Sequence, residues 1–182
     1  MRRANAVISM AVLALFLLHA VMGGFVTAGF MDGGSVFMKG MAWLMVTLII
    51  AHVAIAVKLT ADTLIALKRS GTSYFKENKL FWIRRISGVA VMIFILFHIM
   101  IFLGNNDGTY RLNFFGGAQL ASQILMVLSL GIHIVTNAKP MLLGFGTKSW
   151  KELGTDLALI LTGILLFAGI CFVVYYLRWR MI

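Results

Sequence analysis

Four histidines are the residues of this chain best suited to chemistry, and each lies in a different apolar stretch. They are His19, His52, His98 and His133, in the first to the fourth stretch respectively. An ionisable side chain inside a hydrocarbon span is costly and normally has a functional reason to be there. Neutral imidazole is also a common metal ligand. Four histidines, one per stretch, can therefore form two bis-histidine sites.

Composition indicates that the apolar stretches cross a membrane. The chain is 61% hydrophobic and 12% charged, whereas soluble domains are roughly half apolar and a quarter charged. The apolar runs cover residues 6–30, 41–57, 86–104, 118–136 and 156–177. A helix needs about 20 apolar residues to span the hydrocarbon core. We therefore predict an all-α, single-domain bundle of five transmembrane helices over residues 1–182. The second helix is expected to continue past Lys58 to about Leu67 and to project from the bilayer.

The placement of basic residues predicts how the chain faces. With a cytoplasmic N-terminus, the inner segments contain twelve of the sixteen basic and four of the six acidic residues, a net charge of +8; the outer segments carry +2. Basic residues are enriched in cytoplasmic loops of membrane proteins. The N-terminus is therefore expected on the cytoplasmic side. Because topology already explains the basicity, nucleic acid is not an expected partner, whereas an acidic cytoplasmic protein is.

This orientation converts sequence position into depth. At about 1.5 Å rise per residue, His19 and His98 lie roughly 20 Å from the inner ends of their helices, in the outer half of the membrane. His52 and His133 lie roughly 9–10 Å from the inner ends of theirs, in the inner half. We therefore predict two pairs, His19 with His98 and His52 with His133, at levels roughly 10 Å apart.

Paired histidines at one height are typical of bis-histidine haem sites. Such a site needs two imidazoles from different helices, facing each other across the macrocycle. We therefore expect two haems b, an outer one ligated by His19 and His98 and an inner one by His52 and His133. Two haems at these levels would carry electrons across most of the bilayer. A single haem, another metal site and a proton path stay open as alternatives.

Basic residues at the inner helix ends are candidates for binding the haem propionates. Arg84 and Arg85 begin the third apolar helix, and Lys139 follows the fourth. A guanidinium binds a carboxylate in bidentate fashion. The alternative is that all three set the topology and extend their charges to the interface.

Quinol oxidation at the outer side would need a proton acceptor, because a quinol releases protons with its electrons. Asp32 and Asp107 are the candidates, although an Asp-Gly pair is also an ordinary turn sequence. No carboxylate lies inside the apolar runs. A transmembrane proton pathway therefore has no evident carrier in this sequence.

Taken together, the pattern resembles the dihaem cytochrome b membrane anchor of succinate:quinone oxidoreductases, the bacterial succinate dehydrogenases and fumarate reductases. The resemblance covers the architecture of essentially the whole chain. In residues it rests on the four histidines, with secondary support from the start of the third helix, Arg84-Arg85-Ile86-Ser87-Gly88. Other dihaem cytochromes b distribute their histidines differently, often two to a helix.

The resemblance implies a flavoprotein subunit with covalent FAD and an iron–sulfur subunit, both on the cytoplasmic face of a bacterial inner membrane. Electrons would pass between the iron–sulfur subunit, the two haems and menaquinone or another quinone. Action on the soluble substrate would belong to the partners, while quinone chemistry in this chain and higher oligomers of the complex stay open. In that family a glutamate near the outer haem can serve quinol oxidation, and here Asp32 is only a loose stand-in.

Two other classes compete with this interpretation. A cytochrome b subunit of a hydrogenase or formate dehydrogenase would also bind two haems, but its partner would dock on the outer face, which the inner charge of +8 disfavours. A haem-free transporter or assembly factor would use the histidines as a proton relay. The direction of the reaction, succinate oxidation or fumarate reduction, is not readable from the sequence.

Overall fold

The computed structural model describes residues 1–70, 78–103, 115–144, 146 and 150–181. All regular structure in these ranges is helical, and the five helices are α1 Arg2–Ala28, α2 Val36–Ser70, α3 Lys79–Phe102, α4 Gly117–Gly144 and α5 Trp150–Arg180. Each of them is long and apolar enough to cross a membrane. The prediction of an all-helical chain with five candidate membrane spans is confirmed.

The ends of α1 and α3 show how polar backbone groups are satisfied at the edge of the apolar region. Gly29 follows α1 with φ 84° and ψ 18°, the left-handed conformation that glycine adopts easily. The Arg178 guanidinium of α5 donates from Nη1 to the carbonyl of Ala28 at 2.7 Å. At the start of α3, the Asn78 side chain accepts from the N–H of Phe81 at 3.3 Å. Asn is a favoured residue at this capping position.

Helix α2 is much longer than a bilayer requires. Its 35 residues correspond to a length of about 52 Å, against a hydrocarbon core of about 30 Å. The predicted continuation past Lys58 is therefore confirmed, and the helix runs on to Ser70.

Helix α4 continues beyond the predicted apolar run and passes through Pro140 before it ends at Gly144. Proline has no N–H, so the carbonyl four residues earlier, that of Thr136, loses its usual helical donor. The Arg84 side chain of α3 donates from Nε to this carbonyl at 2.8 Å. Membrane helices tolerate proline where a neighbouring group satisfies the freed carbonyl. A contact between two helices therefore allows α4 to extend past Pro140.

Helix packing leaves a cavity between α1, α2, α3 and α4. Helix α1 packs against α2, α4 and α5, and α4 also packs against α3 and α5. Helix α2 packs mainly on α1, and Met41 is the one residue of α2 that is buried. The cavity has a volume of about 1700 Å³. Helix α5, which carries no histidine, packs against α1 and α4 and contributes Leu165, Ala168 and Phe172 to the cavity wall.

Buried apolar residues form two clusters that hold the bundle together on either side of the α4 midpoint. One consists of Phe115, Met126 and Phe172, and the other of Leu13, Met141 and Leu142. Each cluster joins α4 to another helix. The face of α4 between these anchors can therefore stand open to the cavity.

Glycine allows the closest approach between α1 and α5, and this contact can be tested. A Cβ at Gly24 would overlap the ring of Phe167, whereas a Cβ at the adjacent Gly23 would meet nothing within 4 Å. We expect Gly24→Ala to destabilise the folded bundle by about 1–3 kcal/mol, because the ring must move out of a packed position. Gly23→Ala is the matched control and should be neutral or slightly stabilising. Reversible unfolding in mixed detergent micelles measures both, and equal stability of the two variants would contradict this packing.

Candidate cofactor site

The cavity brings the four histidines together in two pairs. The rings of His19 on α1 and His98 on α3 have centroids 6.1 Å apart, and those of His52 on α2 and His133 on α4 have centroids 6.4 Å apart. The rings are nearly perpendicular in both pairs, at 76° and 83°. All four histidines line the cavity. These are the same two pairs that the depth argument predicts.

The ring separation fits two imidazoles on opposite sides of one metal ion. Metal–nitrogen bonds of about 2.0–2.1 Å would place the two ligating nitrogens about 4 Å apart. Each ring centre lies behind its nitrogen, so centroids at 6.1 and 6.4 Å leave room for one ion between the rings. Plain contacts between rings also occur at about 4.5–7 Å. The hydrogen bonds of the rings are therefore needed to distinguish a metal site from an ordinary contact between two rings.

Three of the four histidines use Nδ1 for a hydrogen bond with a side chain. His52 Nδ1 lies 3.2 Å from Ser9 Oγ, His133 Nδ1 lies 3.2 Å from Ser87 Oγ, and His98 Nδ1 lies 2.7 Å from Gln123 Oε1. No hydrogen bond to Nε2 of these rings is found among the described residues.

The direction of these hydrogen bonds follows from counting protons. Ser9 donates its hydroxyl proton to the carbonyl of Asn5 at 2.8 Å, and Ser87 donates to the carbonyl of Arg84 at 3.2 Å. A hydroxyl has one proton, and with that proton on the carbonyl each serine oxygen accepts from the histidine. An amide oxygen can only accept, so Gln123 Oε1 does so too. The proton of a neutral ring therefore lies on Nδ1, and the lone pair of Nε2 is available to a metal, the arrangement usual for metal-binding histidines.

His19 differs from the other three histidines. Its Nδ1 is buried and has no hydrogen-bond partner among the described residues. A buried, unsatisfied polar nitrogen is unfavourable. The His19–His98 pair, called the outer pair after its predicted depth, is therefore asymmetric, since among the described residues His98 has an acceptor at Nδ1 and His19 has none.

A glycine allows one ring of the inner pair to pack closely against a neighbouring helix. A Cβ at Gly88 would lie 3.1 Å from Cε1 of the His133 ring, closer than most real contacts. Glycine here lets the ring of α4 pack against the backbone of α3. The small pair Ser87–Gly88 thus serves His133, one helix away, and not His98 on its own helix.

The two pairs lie further apart than the roughly 10 Å predicted from sequence. On α1, Ser9 contacts the inner pair and His19 belongs to the outer pair, ten residues on. On α4, Gln123 contacts the outer pair and His133 belongs to the inner pair, again ten residues on. Ten residues of helix rise about 15 Å. The levels are therefore about 15 Å apart along the helix axes.

The basic residues predicted near the inner pair take different positions. Arg84 and Arg85 line the cavity, as does Arg2 at the start of α1. Arg84 uses Nε on the Thr136 carbonyl, while Arg85 lies 4.9 Å from the ring centre of Phe81 and has a buried Nε without a hydrogen-bond partner among the described residues. Lys139 lies on an exposed part of α4 and does not line the cavity.

The acidic candidates lie apart from the histidines. Asp32 is exposed in the connection between α1 and α2 and does not line the cavity, although Gly34 and Lys39 nearby do. Asp107 lies outside the described residues. The described part of the site therefore contains no acidic side chain close to the outer pair.

The donor set suits a metal that brings most of its own ligands. No group of three or more His, Cys, Asp or Glu side chains forms among the residues that the structure describes. Two imidazoles alone are too few for a tetrahedral zinc site, whereas a porphyrin leaves iron two axial positions. The cavity of about 1700 Å³ also exceeds the roughly 300–1,000 Å³ of a site for one small ligand. The residues present therefore fit two haems.

Comparison with known proteins adds no further constraint. No protein-family model, curated protein or solved structure matches this chain. The case for a function accordingly rests on the histidine pairs and the residues around them.

Two residues of the site, Ser9 and Gln123, have no part in the predictions from sequence. Both are polar residues within apolar runs, ten residues before a histidine of the same helix. A polar group in an apolar environment needs a hydrogen-bond partner, which would have marked Gln123 for attention. The identity of that partner depends on how α3 and α4 pack.

The contact between Arg84 and the Thr136 carbonyl predicts a specific coupling. We expect Arg84→Ala to destabilise the bundle by about 1–2 kcal/mol, the range found for interhelical hydrogen bonds in model membrane peptides. In a Pro140→Ala background the restored N–H of residue 140 can satisfy Thr136, so the cost of Arg84→Ala should fall. A double-mutant cycle of unfolding free energies in micelles measures the coupling. Additive effects of the two substitutions would show that Arg84 does not compensate for Pro140.

Proposed function

We propose that this chain is the dihaem cytochrome b membrane anchor of a succinate:quinone oxidoreductase. The observation that carries the proposal is the presence of two imidazole pairs, at 6.1 and 6.4 Å, lining one cavity. Three of the four rings have Nδ1 engaged by a neighbouring helix, which prepares Nε2 for a metal. His19 and His98 would hold the outer haem, and His52 and His133 the inner one.

A bound haem supplies one-electron chemistry by cycling its iron between the ferric and ferrous states. The chain's own residues hold, orient and enclose it. Apolar residues make up most of the cavity wall, which keeps water away from the iron. Helices α1 and α4 each contribute to both levels, so the two sites have a common scaffold.

The inner end of the cavity supports binding of the propionates. Arg2, Arg84 and Arg85 all line it there, and no bond from Nη1 or Nη2 of Arg84 is found among the described residues. Carboxylates bind strongly to a guanidinium fork. We assign the propionates of the inner haem to Arg84 and Arg85. Lys139 is no longer needed for this role because it lies off the cavity.

Charge supports a cytoplasmic partner. Helix α2 is longer than a membrane span, and its extra C-terminal part contains Lys58, Lys68 and Arg69. This end of α2 is on the side where most of the basic residues are predicted. An acidic surface on an iron–sulfur subunit would complement it. The outer haem would then exchange electrons with menaquinone or another quinone.

Haem stoichiometry tests the two sites. We expect two equivalents of bis-histidine haem b in the purified protein. His19→Ala and His98→Ala should each remove the same haem, because each removes one of the two residues that would hold it, and His52→Ala and His133→Ala should both remove the other. Pyridine haemochrome analysis and low-temperature spectra give the counts. Ile49→Ala shortens a side chain that lines the cavity and removes no ligand. It is the control and should retain both haems.

Two results would overturn the proposal. A colourless preparation that takes up no added haem would exclude a cytochrome. Loss of the same haem in His19→Ala and His52→Ala would contradict the pairing.

The partners need a separate experiment. Affinity purification of the tagged chain from its native membrane should recover a flavoprotein, recognised by the fluorescence of covalent FAD in a denaturing gel, and an iron–sulfur protein. Addition of succinate to this complex should reduce at least one haem, or fumarate should reoxidise it. Reduction by hydrogen or formate instead would assign the chain to the alternative class of cytochrome b.

A further inference from the structure

We propose that Gln123 is a positioning residue that sets the redox potential of the outer haem by holding His98. This inference rests on the proposed function, because it assigns a role to a neighbour of a haem ligand. It concerns a side chain that would touch no haem iron and no substrate.

The hydrogen bonds of Gln123 assign the orientation of its amide. The side chain is completely buried, at 0% exposure. Its Nε2 donates to Ser122 Oγ at 3.1 Å, so Oε1 is the atom directed to His98 Nδ1, at 2.7 Å. Among the described residues, this is the shortest hydrogen bond to any of the four rings. The ring of His98 is held further by Phe102, with centroids 4.6 Å apart.

Within the described ranges, the other three histidines lack an equivalent acceptor. Ser9 and Ser87 accept from the inner pair at 3.2 Å, while both also donate to a backbone carbonyl of their own helix. His19, the partner of His98, has no hydrogen-bond partner at Nδ1 in the part of the chain that the structure describes. The outer pair therefore depends on one strong acceptor, and the inner pair on two weaker ones.

A strong acceptor at Nδ1 raises the basicity of the imidazole and fixes its orientation. A more basic axial ligand donates more charge to iron and favours the ferric state. Hydrogen bonding of this kind is one of the means by which a protein tunes a haem. Gln123 accordingly lowers the potential of the outer haem relative to the same site without it.

Two substitutions distinguish a role of Gln123 in positioning His98 from a role in packing alone. Gln123→Leu has a similar volume but no acceptor, so we expect a higher potential for the outer haem and an affinity for it about 10–100-fold weaker. Gln123→Glu keeps an acceptor oxygen in either protonation state, so the outer haem should be retained with a potential no higher than in the wild type. Spectroelectrochemical titration of the intact complex measures both, with the outer haem identified by its loss in His19→Ala.

Ser87→Ala is the matched control at the other level. It removes an acceptor from His133, so the inner haem should shift while the outer haem keeps its wild-type potential. Equal shifts of the outer haem in the Leu and Glu variants would overturn the proposal, because a packing role alone responds to either change. An unchanged potential in Gln123→Leu would also overturn it.

Nitrogen NMR of the haem-free protein provides a test that does not use haem at all. With ¹⁵N-labelled histidine in micelles, the His98 ring should show a protonated Nδ1 and a bare Nε2, and Gln123→Leu should shift the Nδ1 resonance. If His98 shows the predicted Nδ1–H tautomer but the chain takes up no haem, the Gln123 contact is supported and the proposed cytochrome function is refuted. A wild-type protein that binds two haems but has His98 protonated at Nε2 would refute the role of Gln123 alone.

Discussion

The separation of two imidazole rings across a cavity, repeated at two levels, is the constraint on which the rest of the bundle depends. Rings from different helices stay about 6 Å apart only if the helices that carry them are kept from closing onto each other. Helix α2 packs mainly on α1 and buries only Met41. The helices around the cavity thus leave space where a tightly packed bundle would have interdigitated side chains.

Keeping such a space open places demands on the residues behind it. Helix α5 supplies much of this support by packing on α1 and α4, and Gly24 lets its Phe167 approach closely. The clusters around Met126 and Leu142 anchor α4 above and below its cavity face. The Arg84 bond to the Thr136 carbonyl performs a similar task for the backbone, because it satisfies a group that Pro140 leaves without a donor. Arg84, a candidate for binding propionates, thus also stabilises the backbone of α4.

The two levels of the cavity differ in polarity and hydrogen bonding. The inner pair lies near the arginines and is held by two serine hydroxyls, whereas the outer pair combines a tightly bound His98 with a His19 whose Nδ1 has no partner among the described residues. These different surroundings give the two otherwise similar histidine pairs different chemical properties.

The sequence by itself determined the five spans, the long α2 and the histidines that share a depth. These follow from regularities along one helix at a time: the length of an apolar run, the rise per residue and the bias of basic residues. Membership in the histidine pairs was predictable for the same reason, because height in a membrane is a one-dimensional quantity.

Only the tertiary structure decided what each ring touches and which charged residues reach the cavity. Ser9, Ser87 and Gln123 each bond a histidine of another helix, and Arg84 faces the cavity while Lys139 does not. Such contacts depend on the rotation of each helix about its own axis and on the distance to its neighbours. Those quantities are set jointly by side chains far apart in the sequence, such as Gly24 and Phe167, and the pattern along any single helix does not contain them.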